Sequence, residues 1–229
     1  MGTIRILDEL VANKIAAGEV VERPAAVVKE LVENSLDAGA ETIEVRVHKG
    51  GKAFIQVVDD GCGMSREDAE LSLERHATSK IATAEDILAI ATLGFRGEAL
   101  PSIAAVSQFT LITREPTKSE GVKIIMEGGK NRSVGVGAAR PGTTVVVKNL
   151  FFNSPARRKF LHADTTEFGH IHSSLVATAL AHPRIQFRLL HNDHVVFDLL
   201  PAASTVERIA ALYPKEFCQG LVAVEHTSP

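Results

Sequence analysis

Residues 24–40 read PAAVVKELVENSLDAGA, and Glu30, Asn34 and Asp37 recur in it at i, i+4 and i+7. On a helix these positions stack along one side, so a carboxylate and an amide point the same way one turn apart. Such a pair can hold a water and a metal ion side by side, because Glu supplies an ionised base and Asn a neutral oxygen. The same spacing also suits a solvated polar face, and the helix alone does not choose between the two.

Three further stretches carry chemistry-bearing residues in a fixed order. VVDDGCGM, residues 57–64, ends an apolar run with Asp59, Asp60, Gly61 and Gly63. Glycines after a strand let the backbone approach a ligand, and an acid there can accept a hydrogen bond from an exocyclic amino group. A tight turn without a ligand has the same signature. LGFRGEAL, residues 93–100, offers backbone amides around Gly94 and Gly97 and the positive end of a following helix, which suits an anion or a plain helix entry. RPGTTVVVKN puts Thr143 and Thr144 at the start of a strand, where a hydroxyl can join hydrogen bonds around a base or simply favour the strand. No GxxxxGK[ST] loop is present, nor a GxGxxG between a strand and a helix. The glycine-rich residues 135–142 lie among strands and read as a turn.

The elements that must position these residues follow from pattern and punctuation. Asp8 caps a short helix through Ile15, closed by Gly18, and a second helix runs from Pro24 to Gly39 with Val27, Val28, Leu31, Val32, Ser35 and Leu36 facing the core. Alternating runs on either side of Gly50-Gly51 predict a hairpin. Ser65 with Asp68 predicts a helix through about Glu74, Thr83 caps another, and Glu98–Ala105 is a third. Strands are expected over residues 107–115, 121–127, 132–138 and 142–150. A turn opens at Pro155, a long helix spans Asp164–Ala181, and a second hairpin turns at Asn192-Asp193. Ser204 with Glu207 opens one more helix, and GLVAVE near the end is strand-like. Helices followed by a run of antiparallel strands predict an α+β fold, a two-layer sandwich with helices on one face of a mostly antiparallel mixed sheet. A domain over residues 1–203 and the start of a second over 204–229 are expected.

Composition narrows the class. In 229 residues, 45% are hydrophobic and 23% charged, with a formal net charge of -3. That balance is ordinary for a soluble domain and gives no strong pull toward polyanions. Any contact with nucleic acid must come from a local patch, of which Arg157, Arg158 and Lys159 form the tightest. No apolar run is long enough to cross a bilayer and the N-terminus lacks a signal-peptide block, so a cytoplasmic protein with reduced Cys62 and Cys218 is expected. His170, His172, His191 and His194 have no accompanying Cys or carboxylate of the spacing a transition metal needs.

The order ExxxN, DxGxG, GFRGEAL and GTT resembles the GHKL ATPases, the superfamily of gyrase, heat-shock chaperones, sensor histidine kinases and MutL. The longer strings IAAGEVVERPAAVVKELVENSLDAGA, RHATSKI, GFRGEAL and LFFNSPARRKFL resemble the MutL DNA mismatch-repair branch from about Ile4 to Phe168. A histidine kinase or topoisomerase is the alternative those strings oppose. The resemblance implies the GHKL fold and a slow Mg2+-dependent ATPase that binds ATP. It makes Glu30 the general base and Asn34 the magnesium ligand, with Asp59 taking the adenine amino group supported by Thr143, and Gly61 and Gly63 shaping the pocket. Leu93, Gly94, Phe95, Arg96, Gly97, Glu98, Ala99 and Leu100 would be the phosphate lid, and Ala77, Thr78, Ser79 and Lys80 the wall beside it. Asp60 stands where many relatives have Asn, and Asp37 receives no role.

The resemblance further implies that residues 204–229 begin a transducer domain of the S5 domain 2-like type, whose lysine reaches the γ-phosphate in relatives. A chain ending before that lysine is expected to hydrolyse ATP weakly, or to act as a nucleotide-gated binding module. Implied partners are a MutS-type mismatch-recognition protein, a downstream nuclease or helicase, DNA through basic patches, and a second copy in an ATP-dependent homodimer involving residues 1 to about 20.

Overall fold

The computed structural model describes residues 21–78 and 97–221. The helix expected from Asp8, the one expected after Thr83 and most of the run at 220–225 lie outside them.

Helix α1 (Pro24–Asp37) begins on a proline whose missing N–H costs a first turn nothing. It ends in a Schellman arrangement, with Gly39 at φ 72 donating to Leu36 O and Ala40 donating to Ser35 O at 3.1 Å. Val27, Val28, Leu31, Val32 and Ser35 are buried, as the 3.6-residue period requires. The chain then forms the hairpin of β1 (Thr42–His48) and β2 (Phe54–Asp59), turning through a 3-10 turn at Lys49–Gly51. Helix α2 (Arg66–Leu71) is capped by Ser65 and stops three residues short of Glu74.

After α3 (Ala99–Ala105) come β3 (Gln108–Arg114), β4 (Gly121–Glu127), β5 (Lys130–Gly137) and β6 (Gly142–Lys148). Short α4 (Pro155–Lys159) and long α5 (Asp164–Ala181) lead to the hairpin of β7 (Gln186–His191) and β8 (His194–Leu199), then α6 (Thr205–Leu212) and α7 (Lys215–Gln219). Asn192 and Asp193 both take positive φ, 49 and 66, as a two-residue turn matched to strand twist demands. Of the glycine-rich residues 135–142, Gly135 to Gly137 complete β5, Gly142 opens β6 and only residues 138–141 turn.

One sheet of order β5-β4-β3-β6-β2-β1-β7-β8 holds all eight strands. It is antiparallel except where β1 runs parallel to β7, joined through the helical layer. Register aligns the inward residues of five strands into rows. Leu111, Val145, Val57, Val45 and Leu189 form one such row. The next row, toward the end where β2 stops, is Thr113, Thr143, Asp59, Ile43 and Phe187. An apolar layer therefore turns polar in three adjacent strands at one end. The helices cover this face, with α1 packed on β1, β2, α3 and α5.

Two arginines serve this packing. Arg208 of α6 is fully buried and donates to Pro183 O and Ile185 O, both at 2.6 Å, fastening α6 to the turn between α5 and β7. Arg157, expected as part of a basic patch, instead lays its guanidinium 4.2 Å over the Phe151 ring and donates to Val21 O. Arg158 and Lys159 are exposed. Replacing Arg208 with Ala removes the donor from two carbonyls and opens a hole. Arg208→Ala is expected to lower unfolding free energy by roughly 2–4 kcal/mol, since bonds to charged donors are worth ~1.5–3 each. Urea denaturation of the variant against the parent chain measures it, and an unchanged midpoint would detach α6 from the fold's stability.

Candidate functional site

The polar end of the inward row centres on Asp59, 9% exposed. One carboxylate oxygen, Oδ1, accepts from Gly61 N at 3.0 Å and Thr143 N at 3.1 Å. The other, Oδ2, accepts from Ser35 Oγ at 2.9 Å. Burial pushes the Asp59 carboxyl up from its ordinary value, and neighbouring Asp60 adds to the rise. The bonds from Ser35, Gly61 and Thr143 oppose it by favouring the ionised form. Desolvation outweighs these three bonds, so the carboxyl holds its proton more readily than an exposed one.

Each strand end contributes for a local reason. Asp59 and Thr143 face each other because β2 and β6 pair in that register. Thr113, fully buried on β3, accepts from Met64 N at 2.9 Å and lies 3.0 Å from the Thr143 hydroxyl. Gly63 takes φ 65, and a β-carbon there would stand 2.1 Å from Arg114 O, so only glycine lets the turn settle on the end of β3. Asp60 faces away, with Oδ1 accepting from Glu41 N at 2.8 Å and Thr42 N at 2.9 Å. It fixes the entry to β1.

Helix α1 meets this turn directly. Besides the Ser35 bond, Cys62 N donates to Ala38 O at 3.0 Å. Glu30, Asn34 and Asp37 are half-buried, and each interacts with neighbours. They lie roughly a third of a turn round the helix from the core stripe, with Glu30 ~7.5 Å of rise from Ser35. The structure thus joins the helix and the aspartate turn at the Ser35 end and sets Glu30 farther along.

The remaining expected residues divide in two. Gly61, Gly63, Thr143, Ala77, Thr78, Gly97, Glu98, Ala99 and Leu100 are described; Ser79, Lys80, Leu93, Gly94, Phe95 and Arg96 lie outside the described residues. Ala77 and Gly97 are brought together, the α-carbon of Gly97 facing the Ala77 carbonyl so closely that a β-carbon would come within 2.4 Å. Glu98 Oε1 lies 3.3 Å from His76 Nδ1 and 3.8 Å from Arg75, joining the two segments again. Among the residues the sequence expects at the site, Leu100 packs on the core and is not fully exposed. Among the candidate metal histidines, His191 is stacked on Phe168 at 3.9 Å, and burial pushes its ring below the ordinary histidine value.

Ser35 and Thr113, which the sequence motifs do not mark, border the Asp59 cluster as well. Each is a hydroxyl in an otherwise apolar inward pattern, and that mismatch was the available signal.

Comparison with known proteins adds an independent finding. Residues 22–133 match the model of the histidine kinase-, DNA gyrase B-, and HSP90-like ATPases. The ATPase domain of Aquifex aeolicus MutL complexed with ADP superposes with a TM-score of 0.71 at 35% identity, covering 84% of this chain and 69% of that one. The chain belongs to the MutL family.

Among curated MutL DNA mismatch repair proteins, that of Syntrophotalea carbinolica is 54% identical over 99% of this chain, and that of Geobacter sulfurreducens 54% over 97%. The chain spans 36% of the length of each. The match with MutL ATPase domains accounts for the eight-stranded mixed sheet and its helical layer as a GHKL ATPase fold. Among the described residues no helix is long and apolar enough to cross a membrane.

Asp59 carries a stability cost that can be read by titration. Its folded value is raised, so its contribution to stability is fully present below the unfolded carboxyl value and is lost as pH rises through the folded one. An Asn at 59 can keep accepting from Gly61 and Thr143 through its oxygen while its amide donates to Ser35, whose proton turns to Leu31 O, 3.1 Å away. Asp59→Asn is therefore expected to unfold at the same or a higher temperature at neutral pH, a gain of ~1 kcal/mol being worth roughly 2–4 °C in a domain of this size. Calorimetry from acid to neutral pH should show a flatter pH dependence; a marked loss of stability in the variant would mean the carboxylate charge itself supports the fold.

Proposed function

We propose that this chain binds ATP with its purine against Asp59 and hydrolyses it slowly with Glu30 as general base. The Asp59 cluster carries the reading: a desolvated carboxylate at a sheet end is suited to accept from the adenine amino group, and Thr143 beside it supports the base. Gly61 and Gly63 let the turn close on Ala38 of α1 and on the end of β3, which holds Asp59 at the mouth of the pocket. The ADP complex of the A. aeolicus relative supports a nucleotide at this fold.

Along α1, Glu30 would take a proton from water as that water attacks the γ-phosphorus in line and the bond to the bridging oxygen breaks, ADP leaving opposite the attack; position matters there as much as basicity. Asn34 suits magnesium because a single amide oxygen fits a hard ion that takes its other ligands from phosphate and water. When bound, Mg2+ would neutralise phosphate charge. Residues 94–100 form the lid whose amides cover the phosphates, against the wall of residues 77–80. The contact of Gly97 with Ala77 is consistent with lid and wall working together.

The same reading extends to the parent protein. Residues 1–203 form the ATPase domain and residues 204–229 begin a transducer domain, whose lysine completes the phosphate site. ATP closes the lid, residues 1 to about 20 exchange with a second copy, and the clamp couples a MutS-type protein to a nuclease or helicase. DNA is touched weakly, through basic patches such as the exposed Arg158 and Lys159. A nucleotide-gated module with little hydrolysis is the second reading, favoured if a completing lysine is needed for turnover.

Isothermal titration with a non-hydrolysable ATP analogue and Mg2+, alongside phosphate release, tests the roles. Glu30→Ala is expected to bind normally while hydrolysis falls by about 10²–10⁴. Asp59→Asn is expected to lose binding, because its amide meets the adenine amino group donor to donor. The opposite pattern would reverse both assignments. Light scattering with the analogue is expected to show a dimer that Asp59→Asn does not form; a monomer at saturating analogue would confine nucleotide-driven dimerisation to a longer chain.

A further inference from the structure

Ser35 sits on the core side of α1, 2% exposed, one residue beyond Asn34. Its Oγ lies 2.9 Å from Asp59 Oδ2 and 3.1 Å from Leu31 O, and a hydroxyl has one proton to give. Oδ1 already accepts from two backbone amides, Gly61 N and Thr143 N. A donor on any ligand therefore has Oδ2 to address. Of the two lone-pair directions on that oxygen, Ser35 occupies the one toward the helix, which leaves a single direction for the ligand.

The structure assigns Ser35 as a positioning residue for base discrimination: its hydroxyl fixes the remaining acceptor direction of Asp59, so that the pocket favours a 6-amino purine over a 6-oxo purine. This rests on the reading of Asp59 as the purine acceptor. A 6-amino group donates to the held oxygen; a 6-oxo group sets its own lone pairs against it, and nothing Ser35 does improves that contact. The benefit of the hydroxyl is therefore selective. It also ties the purine acceptor to the helix that carries Glu30 and Asn34, through a bond that a purely packing residue would not make.

The test is isothermal titration of the whole chain with ATP and with GTP in Mg2+, for the parent, Ser35→Ala, Ser35→Thr, Ser35→Cys and Asp59→Asn. Ser35→Ala is expected to weaken ATP binding about 10-fold or more, as for loss of a bond to a charged group, with GTP little changed, so the ATP:GTP preference falls by the same factor. Ser35→Thr, which keeps the hydroxyl, restores the preference. Ser35→Cys, similar in size with a weak donor, behaves like the alanine variant and decides the matter if alanine does not fold. A structural role alone would weaken both nucleotides equally, and an unchanged preference in Ser35→Ala or Ser35→Cys overturns the assignment. If Asp59→Asn binds ATP as the parent does, the reading of Asp59 itself fails; if only the Ser35 variants match the parent, this inference fails alone.

Discussion

One polar position at the end of an apolar row sets the constraint that the surrounding elements must meet. Asp59 ends β2 on the inward face, in a row that continues into Ile43 and Phe187. A charge in that position is tolerated because backbone amides and a hydroxyl meet it from β6, from its own turn and from α1. Each of those donors requires an element to be in place. Register delivers Thr143, a close-fitting turn delivers Gly61, and the core stripe of α1 delivers Ser35. The apolar core and the polar site are thus one packing solution rather than a scaffold with a site added to it.

Further bonds tie the turn to the elements around it. Asp60 binds the entry to β1, Ala38 O receives Cys62 N, and Thr113 receives Met64 N. These bonds surround Asp59 and leave the turn little freedom to drift away from α1. On the far side of the sheet Glu44, Arg188 and Asp198 form a half-exposed charge row, with Arg188 3.3 Å from Glu44 and 3.5 Å from Asp198. Exposed pairs of this sort add ~0–1 kcal/mol each, so the two faces contribute to stability by different means.

Much of the fold was legible because periodicity and punctuation agreed. Pro24 and Gly39 bracket α1, Asn192-Asp193 turns the last hairpin, and Asp164–Ala181 is the helix its pattern described. The misses have physical causes. The helix after Ser65 stops at Leu71, before the Glu74 expected from its sequence. The parallel pairing of β1 with β7 joins residues ~140 apart and leaves no local trace. Of the residues expected at the candidate site, Asp59, Gly61 and Thr143 are brought together at one sheet end by pairing register and turn bonds, with Gly63 in the same turn. Ser35 was assigned to the core stripe, correctly, yet its hydroxyl has a second use that a hydrophobic pattern does not register. Arg157 shows the reverse error, since a cluster of like charges says nothing about which member turns inward.

That inward arginine has a mechanical consequence. Val21 is fully buried, and its carbonyl receives the Arg157 guanidinium while the same group rests on Phe151, itself held at φ 62. A buried carbonyl stripped of its donor costs ~1–3 kcal/mol. Val21 therefore cannot shift without dragging α4 and the turn at Phe151 along or forfeiting that energy. The point where the chain enters α1 and a short helix more than a hundred residues later behave as a hinge pin and its socket: displacement imposed at either is felt at the other.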